Sequence, residues 1–360
     1  MRKLSVLGKI TLISVILQAI IITVLEAFVV YLHVNFVNQF QFDSTGNGIS
    51  EADLIYHSIF IISLFFQILL VVDALWNRNT VQIVALVVFN LLSLVYAGIQ
   101  LYEHQILEDQ GTQNATYAPT NPIFSKDDRT APKTYYEARM RPIEHTMIGL
   151  ISAFSIYLAV MSYLLTKEFG WENYRTYSAD IRVRDAFWNL TILQTLIKMD
   201  VFFIGSYALQ LIPSQQLGYY SSIVEIVLVF FFGTIMLLIS WFSVAMEMKY
   251  LLLSAINLYS ISLIYWVYRI ITIAHPSEDK FDPYEFTRRF LIFFLVITTV
   301  LLIVTIFYSI ICVRNMMRGF YVLTVFGRSE NESENEPEGR SPYLSVDNLE
   351  SSSKRISKRQ

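Results

Sequence analysis

The sequence predicts an all-α fold: a polytopic bundle of eight membrane-spanning helices, with both ends on the cytosolic side and a disordered cytosolic tail. Three observations carry this. Of the 360 residues, 54% are hydrophobic and only 16% charged, whereas an average soluble domain is about a quarter charged. The apolar residues fall into eight continuous blocks, each near the roughly 20 residues that cross a hydrocarbon core of about 30 Å. Lys and Arg are divided unevenly between alternate connections, which is how orientation in a membrane is encoded.

The blocks run from about Ile10 to His33, Leu54 to Trp76, Val81 to Tyr102, Thr146 to Thr166, Phe187 to Leu211, Ile223 to Ser243, Tyr250 to Ile270 and Phe290 to Val313. The first follows Arg2, Lys3 and Lys9 like the core of a signal peptide. It is too long for one, since such cores hold about 7 to 15 residues, and no small-x-small cleavage site follows, so it reads as an uncleaved signal-anchor helix. Each block is continuously apolar and reads as a helix, because barrel strands alternate polar and apolar residues over about ten positions. Between the third and fourth blocks lies a long connection, residues 103–145, and after residue 325 the apolar pattern stops. The tail, 326–360, is rich in Ser, Glu, Asn, Lys and Arg, a composition that cannot bury enough surface to fold alone. No internal repeat is evident.

With the N-terminus inside, cytosolic segments hold 17 Lys and Arg residues and the opposite side nine, which favours both ends in the cytosol. The long connection carries the sequon Asn114-Ala115-Thr116, an N-glycosylation acceptor only where the segment faces the secretory lumen. Sequons at Asn189 and Asn331 fall on the cytosolic side and are expected to stay bare. The bilayer is thus the one partner composition demands. With a net charge of −3 and scattered basic residues, nucleic-acid binding is not expected. Cys312 is the sole cysteine, so no internal disulfide can form.

Ionisable groups inside a membrane helix cost about 2.5–3.5 kcal/mol at its centre on insertion scales, so each needs a partner or a purpose. Lys198 and Asp200 stand in the fifth helix, two positions and about 200° apart, and must find different partners. Glu225 and Glu26 are the candidates for Lys198; a tyrosine, a neighbour such as Gln194, or Arg269 for Asp200. These groups either fix helix register or line a path for a solute or proton. All five histidines, His33, His57, His104, His145 and His275, fall at or beyond the same ends of the helices. The pairs Glu103-His104 and Glu144-His145 bracket the long connection, which can bring them beside His57. Imidazoles and carboxylates are zinc ligands, so His57, His104, His145, Glu103 and Glu144 are metal candidates. Against this, no His-x-x-x-His spacing occurs, and interface histidines are commonplace. No phosphate loop, nucleophile elbow or His-Glu-x-x-His motif is present, so no cofactor is specified and enzymatic activity is not the leading expectation. In the tail, Tyr343 and Val346 bound a Tyr-x-x-apolar pattern of the kind read by cytosolic trafficking machinery.

The stretch Phe169-Gly170-Trp171-Glu172-Asn173-Tyr174, followed by Ser178-Ala179-Asp180-Ile181 and by Leu196-Ile197-Lys198-Met199-Asp200-Val201-Phe202-Phe203, resembles a fungal family of uncharacterised Golgi apparatus membrane proteins. The resemblance implies a multi-helix architecture in the Golgi membrane and brings no substrate or catalytic residue. The leading expectation is a non-enzymatic protein that moves a small solute or ion through an interior around Lys198, Asp200 and Glu225. A trafficking adaptor acting through residues 167–185 and the tail, and a lumen-facing membrane metalloenzyme, stand beside it.

Overall fold

The computed structural model describes residues 4–38, 40–41, 44–114, 116–117, 130–176, 181–212, 222–275, 284 and 287–319. Among them run eight long helices: α1 (Val6–Val37), α2 (Ser44–Trp76), α3 (Thr80–Asn114), α4 (Thr130–Thr176), α5 (Ile181–Gln210), α6 (Ser222–Ala245), α7 (Lys249–Ala274) and α8 (Arg288–Met317). Each contains a segment long and apolar enough to cross a membrane. The eight-span architecture is therefore present, with one small addition. The strands β1 (Phe40–Gln41) and β2 (Thr116–Tyr117) pair antiparallel and tie the α1–α2 connection to the α3–α4 connection. The tail, with Tyr343 and Val346, lies outside the described residues.

The helices outrun their apolar blocks. The connection expected over 103–145 is helical at both ends, because α3 continues to Asn114 and α4 already begins at Thr130. Apolarity marks only the portion inside the hydrocarbon, whereas the backbone hydrogen-bond ladder can continue into water over charged residues such as Lys133, Glu137, Arg139 and Arg141.

Consecutive helices run antiparallel and close into two groups of four. In the first, α1 packs on α2 and α4, and α3 on α2 and α4; in the second, α5 packs on α6 and α8, and α7 on α6 and α8. The groups meet where α5 and α8 lie against α2 and α3. An aromatic seam fills that junction: Phe66 stacks on Phe202, and Phe203 lies near Phe89 and Phe294.

Patterning is inverted relative to a soluble bundle. Lipid tails are as apolar as leucine, so helices gain little by hiding apolar faces from them and associate through close packing and interhelical hydrogen bonds. On α1 the outward positions are Ile13, Leu17, Ile20, Val24 and Phe28, whereas Gln18, Glu26 and His33 lie buried on the inner stripe. Close approach of α5 and α6 depends on Gly233, where a Cβ would stand 2.9 Å from Ile204 Cγ2. The short turns after α2 and α6 place Arg78 (φ 48°) and Glu247 (φ 49°) in the left-handed region, which lets the chain reverse at once into α3 and α7.

Candidate functional site

The inner stripes of α1–α4 converge at one end of the first four-helix group on a nest of titratable side chains. α1 contributes Glu26 and His33, α2 Asp53 and His57, α3 Gln100 and His104, and α4 Glu144. All are at most 5% exposed. Helical spacing explains the placement: His57 follows Asp53 by four residues, His104 follows Gln100 by four, and His33 follows Glu26 by seven, so each pair shares one face of its helix.

Asp53 Oδ2 is the centre. It lies 3.0 Å from His104 Nε2, 3.2 Å from His57 Nε2 and 3.3 Å from His33 Nδ1. The two Nε2 atoms are 3.1 Å apart, and His33 stacks on His104 with ring centroids 5.5 Å apart. The far sides of two rings are held by carboxylates: His57 Nδ1 is 2.6 Å from Glu26 Oε1, and His104 Nδ1 is 2.5 Å from Glu144 Oε1. Gln100 Nε2 donates to Glu26 Oε1 at 2.8 Å and lies 2.6 Å from His57 Nδ1. Arg141 donates to Glu144 Oε2 at 2.8 Å. Glu26 Oε2 and His33 Nε2 have no hydrogen-bond partner among the described residues. The ligand atoms of His33, Asp53 and His104 all fall within 4.8 Å of one another, close enough to share one metal ion.

Of the metal candidates read from sequence, His57, His104 and Glu144 thus meet, and two do not join them. His145 is exposed and bonds the Arg141 carbonyl of its own helix, because one step along a helix turns a side chain by about 100° away from Glu144. Glu103 turns outward to Arg289, which donates to it at 3.1 Å. The sequence reading assigned Glu26 to Lys198 instead, missed Asp53 and did not count His33 as a ligand. The signal that could have found Asp53 is its four-residue spacing to His57, equivalent in geometry to the absent His-x-x-x-His.

The other polar candidates sit elsewhere. Lys198 pairs with Asp73 on α2 and donates to Gln82 Oε1 on α3 at 3.2 Å; neither Glu225 nor Glu26 is its partner, because both are held by other groups. Glu225 accepts from Arg269 at 2.8 Å and from Tyr265 at 2.5 Å. Asp200, fully buried, accepts from Thr305 at 2.8 Å rather than from Gln194, a tyrosine or Arg269. Lys198 and Asp200 do face different partners, as their offset requires.

Between the nest and the Lys198–Asp73 pair lies a middle tier. Asn90 Oδ1 accepts from Gln18 at 2.9 Å and from Gln67 at 3.0 Å, and Asn90 donates to Ser155 at 2.7 Å. On α2 the span from Asp53 to Asp73 is about 30 Å at 1.5 Å per residue, a full hydrocarbon thickness. The first four-helix group therefore carries polar groups at both ends and at its middle. Asn114 closes α3, but its side chain lies outside the described residues, as do residues 177–180 of the segment 167–185.

No family model matches the chain, and no solved structure matches it. Among curated proteins, a UPF0658 Golgi apparatus membrane protein of Schizosaccharomyces pombe is 23% identical over 270 residues, which is 73% of this chain and 75% of that protein. Taken with the eight candidate spans, this similarity bears out the resemblance read from the sequence: the chain is a multi-pass Golgi membrane protein, similar to that fungal group of uncharacterised Golgi apparatus membrane proteins.

Proposed function

We propose that the protein moves a small cation across the Golgi membrane through the interior of α1–α4. The observation that carries this reading is the three-tier series of polar groups, buried in the nest and at Asn90, Gln67, Gln18 and Gln82, and half-buried where Lys198 meets Asp73. Polar groups in hydrocarbon weaken insertion, and clusters of them facing a bundle interior commonly mark ion or substrate pathways. The tiers are separated by apolar layers: Ile22, Ile59 and Phe60 between nest and middle, then Val71 and Leu86 toward the far end. Passage through them requires the helices to shift, as alternating access does. In the orientation favoured by the Lys and Arg distribution, the nest lies toward the lumen and the Lys198–Asp73 tier toward the cytosol.

An embedded enzyme is less well supported, because such a site must admit a substrate and every side chain of the nest is nearly sealed. A trafficking adaptor rests on the tail and on residues 167–185, much of which lies outside the described residues.

Reconstitution of the purified full-length chain into liposomes with a trapped cation indicator tests the proposal. Uptake of Zn2+, Mn2+ or Na+ above that of protein-free vesicles is expected. The double substitution Asn90→Leu and Gln67→Leu should lower uptake at equal protein content. Absence of uptake for all three ions by the monodisperse wild type would refute transport, and the middle tier would then be a register-fixing network.

A further inference from the structure

We infer that the nest is a binding site for one divalent transition-metal ion of the zinc class, ligated by His33, Asp53 and His104, with His57 against Asp53 and His104 at its edge. This names a substrate for the movement proposed above, and in that respect it rests on that reading; the site itself stands on three observations of its own.

The first is the direction of the lone pairs. His104 Nδ1 faces Glu144 Oε1 at 2.5 Å, and a carboxylate only accepts, so this Nδ1 carries its proton toward it. In the neutral ring the other nitrogen, Nε2, is then a bare electron pair. His104 Nε2 and Asp53 Oδ2 therefore confront one another at 3.0 Å as two electron-pair donors. That is repulsive unless positive charge stands between them.

The second is size. A tetrahedral zinc ion with bonds of about 2.0–2.1 Å holds its ligand atoms roughly 3.3–3.4 Å apart. The edges here are 3.0, 3.1 and 3.2 Å, with His33 Nδ1 at 3.3 Å from the shared oxygen. An ordinary hydrogen-bonded cluster has no reason to gather three imidazoles on one carboxylate oxygen, which accepts two good bonds. The outer shell also fits: ligand histidines commonly donate their second nitrogen to a carboxylate that is itself held, and here Gln100 donates to Glu26 while Arg141 donates to Glu144.

The third is charge. With neutral imidazoles the nest holds three carboxylates, Glu26, Asp53 and Glu144, and one guanidinium, Arg141. Two negative charges remain uncompensated, and one divalent cation balances them. Nitrogen and oxygen donors without sulfur suit a borderline ion such as zinc.

The test uses the purified full-length protein in detergent, incubated with Zn2+, separated from free ion and analysed for metal content, with zinc X-ray absorption on the same sample. The wild type should retain one zinc per chain, with histidine nitrogen and oxygen as ligands. Asp53→Asn combined with His104→Gln should lose it, whereas His145→Ala, at an exposed ring outside the nest, should retain it. Glu144→Gln should keep the ligands and weaken affinity by roughly 10–100-fold. The inference is overturned if the wild type retains no stoichiometric zinc, in which case imidazolium protons supply the charge, or if absorption shows no histidine ligands. It is overturned equally if the double variant, monodisperse, still holds the ion. Loss of the double variant to misfolding leaves the absorption spectrum of the wild type to decide. Zinc retained without vesicle uptake would sink the transport reading alone, and uptake without zinc retention would sink this one alone.

Discussion

At the scale of single residues, Asp200 is the sharpest case of a group whose neighbours decide its cost. Its carboxyl is fully buried and, among the described residues, receives one hydrogen bond, from Thr305, which leaves Oδ1 without a partner. Removing the partner of a buried polar group exposes its full desolvation penalty, about 1–3 kcal/mol and more when the group is charged. Thr305→Val, nearly isosteric, should therefore lower the detergent melting temperature measurably, while Thr305→Ser should not. If the loss acts through Asp200, Asp200→Asn should shrink the effect of Thr305→Val; equal losses in both backgrounds would show that the valine acts by packing alone. Residue-level reading of the sequence reached part of this. That Lys198 and Asp200 needed separate partners followed from their offset, and that Glu144 and His104 carried interest followed from their type. The partners of Lys198, Asp200 and His104, namely Asp73, Thr305 and Asp53, lie 125, 105 and 51 positions away. No spacing rule reaches that far, because it depends on which helices are neighbours.

At the scale of elements, the existence of all eight helices was legible, because a block of about twenty apolar residues has few other fates. Their ends were not, since a helix need not stop where hydrocarbon does, and α3 and α4 continue well past Tyr102 and before Thr146. The tightest contact between elements was also hidden. Gly233 belongs to no Gly-x-x-x-Gly pattern, yet α5 approaches α6 there so closely that Ile204 Cγ2 occupies the space a Cβ would need. Gly233→Ala should consequently destabilise the α5–α6 pair, since overpacking commonly costs about 1–3 kcal/mol. In an Ile204→Ala background, where the obstructing methyl is gone, the same change should be close to neutral. Thermal denaturation of the four proteins gives the coupling directly, and additive losses would mean that the helices separate freely at this point.

At the scale of the whole molecule, the arrangement into two four-helix groups concentrates ionisable chemistry at the nest in one of them, and its meaning depends on which compartment that end faces. Even numbers of spans return the chain to its starting side, so with eight spans the start of α1 and the end of α8 lie on the face opposite the nest whichever way the protein inserts. The sequence supplies its own reporters of the choice. Asn114 closes α3, beyond His104 on the nest side, while Asn331 follows α8 in the sequence. The positive-inside count favours the orientation with the nest toward the lumen. Glycan mapping by mass spectrometry on protein from cells, before and after glycosidase treatment, should find Asn114 modified and Asn331 bare, with the mobility shift abolished by Asn114→Gln. The converse pattern would turn the molecule over and present the nest to the cytosol. Any cation held there would then be drawn from the cytosolic pool and delivered in the opposite direction, so this measurement fixes the vesicle side to which ions should be added in the uptake experiment.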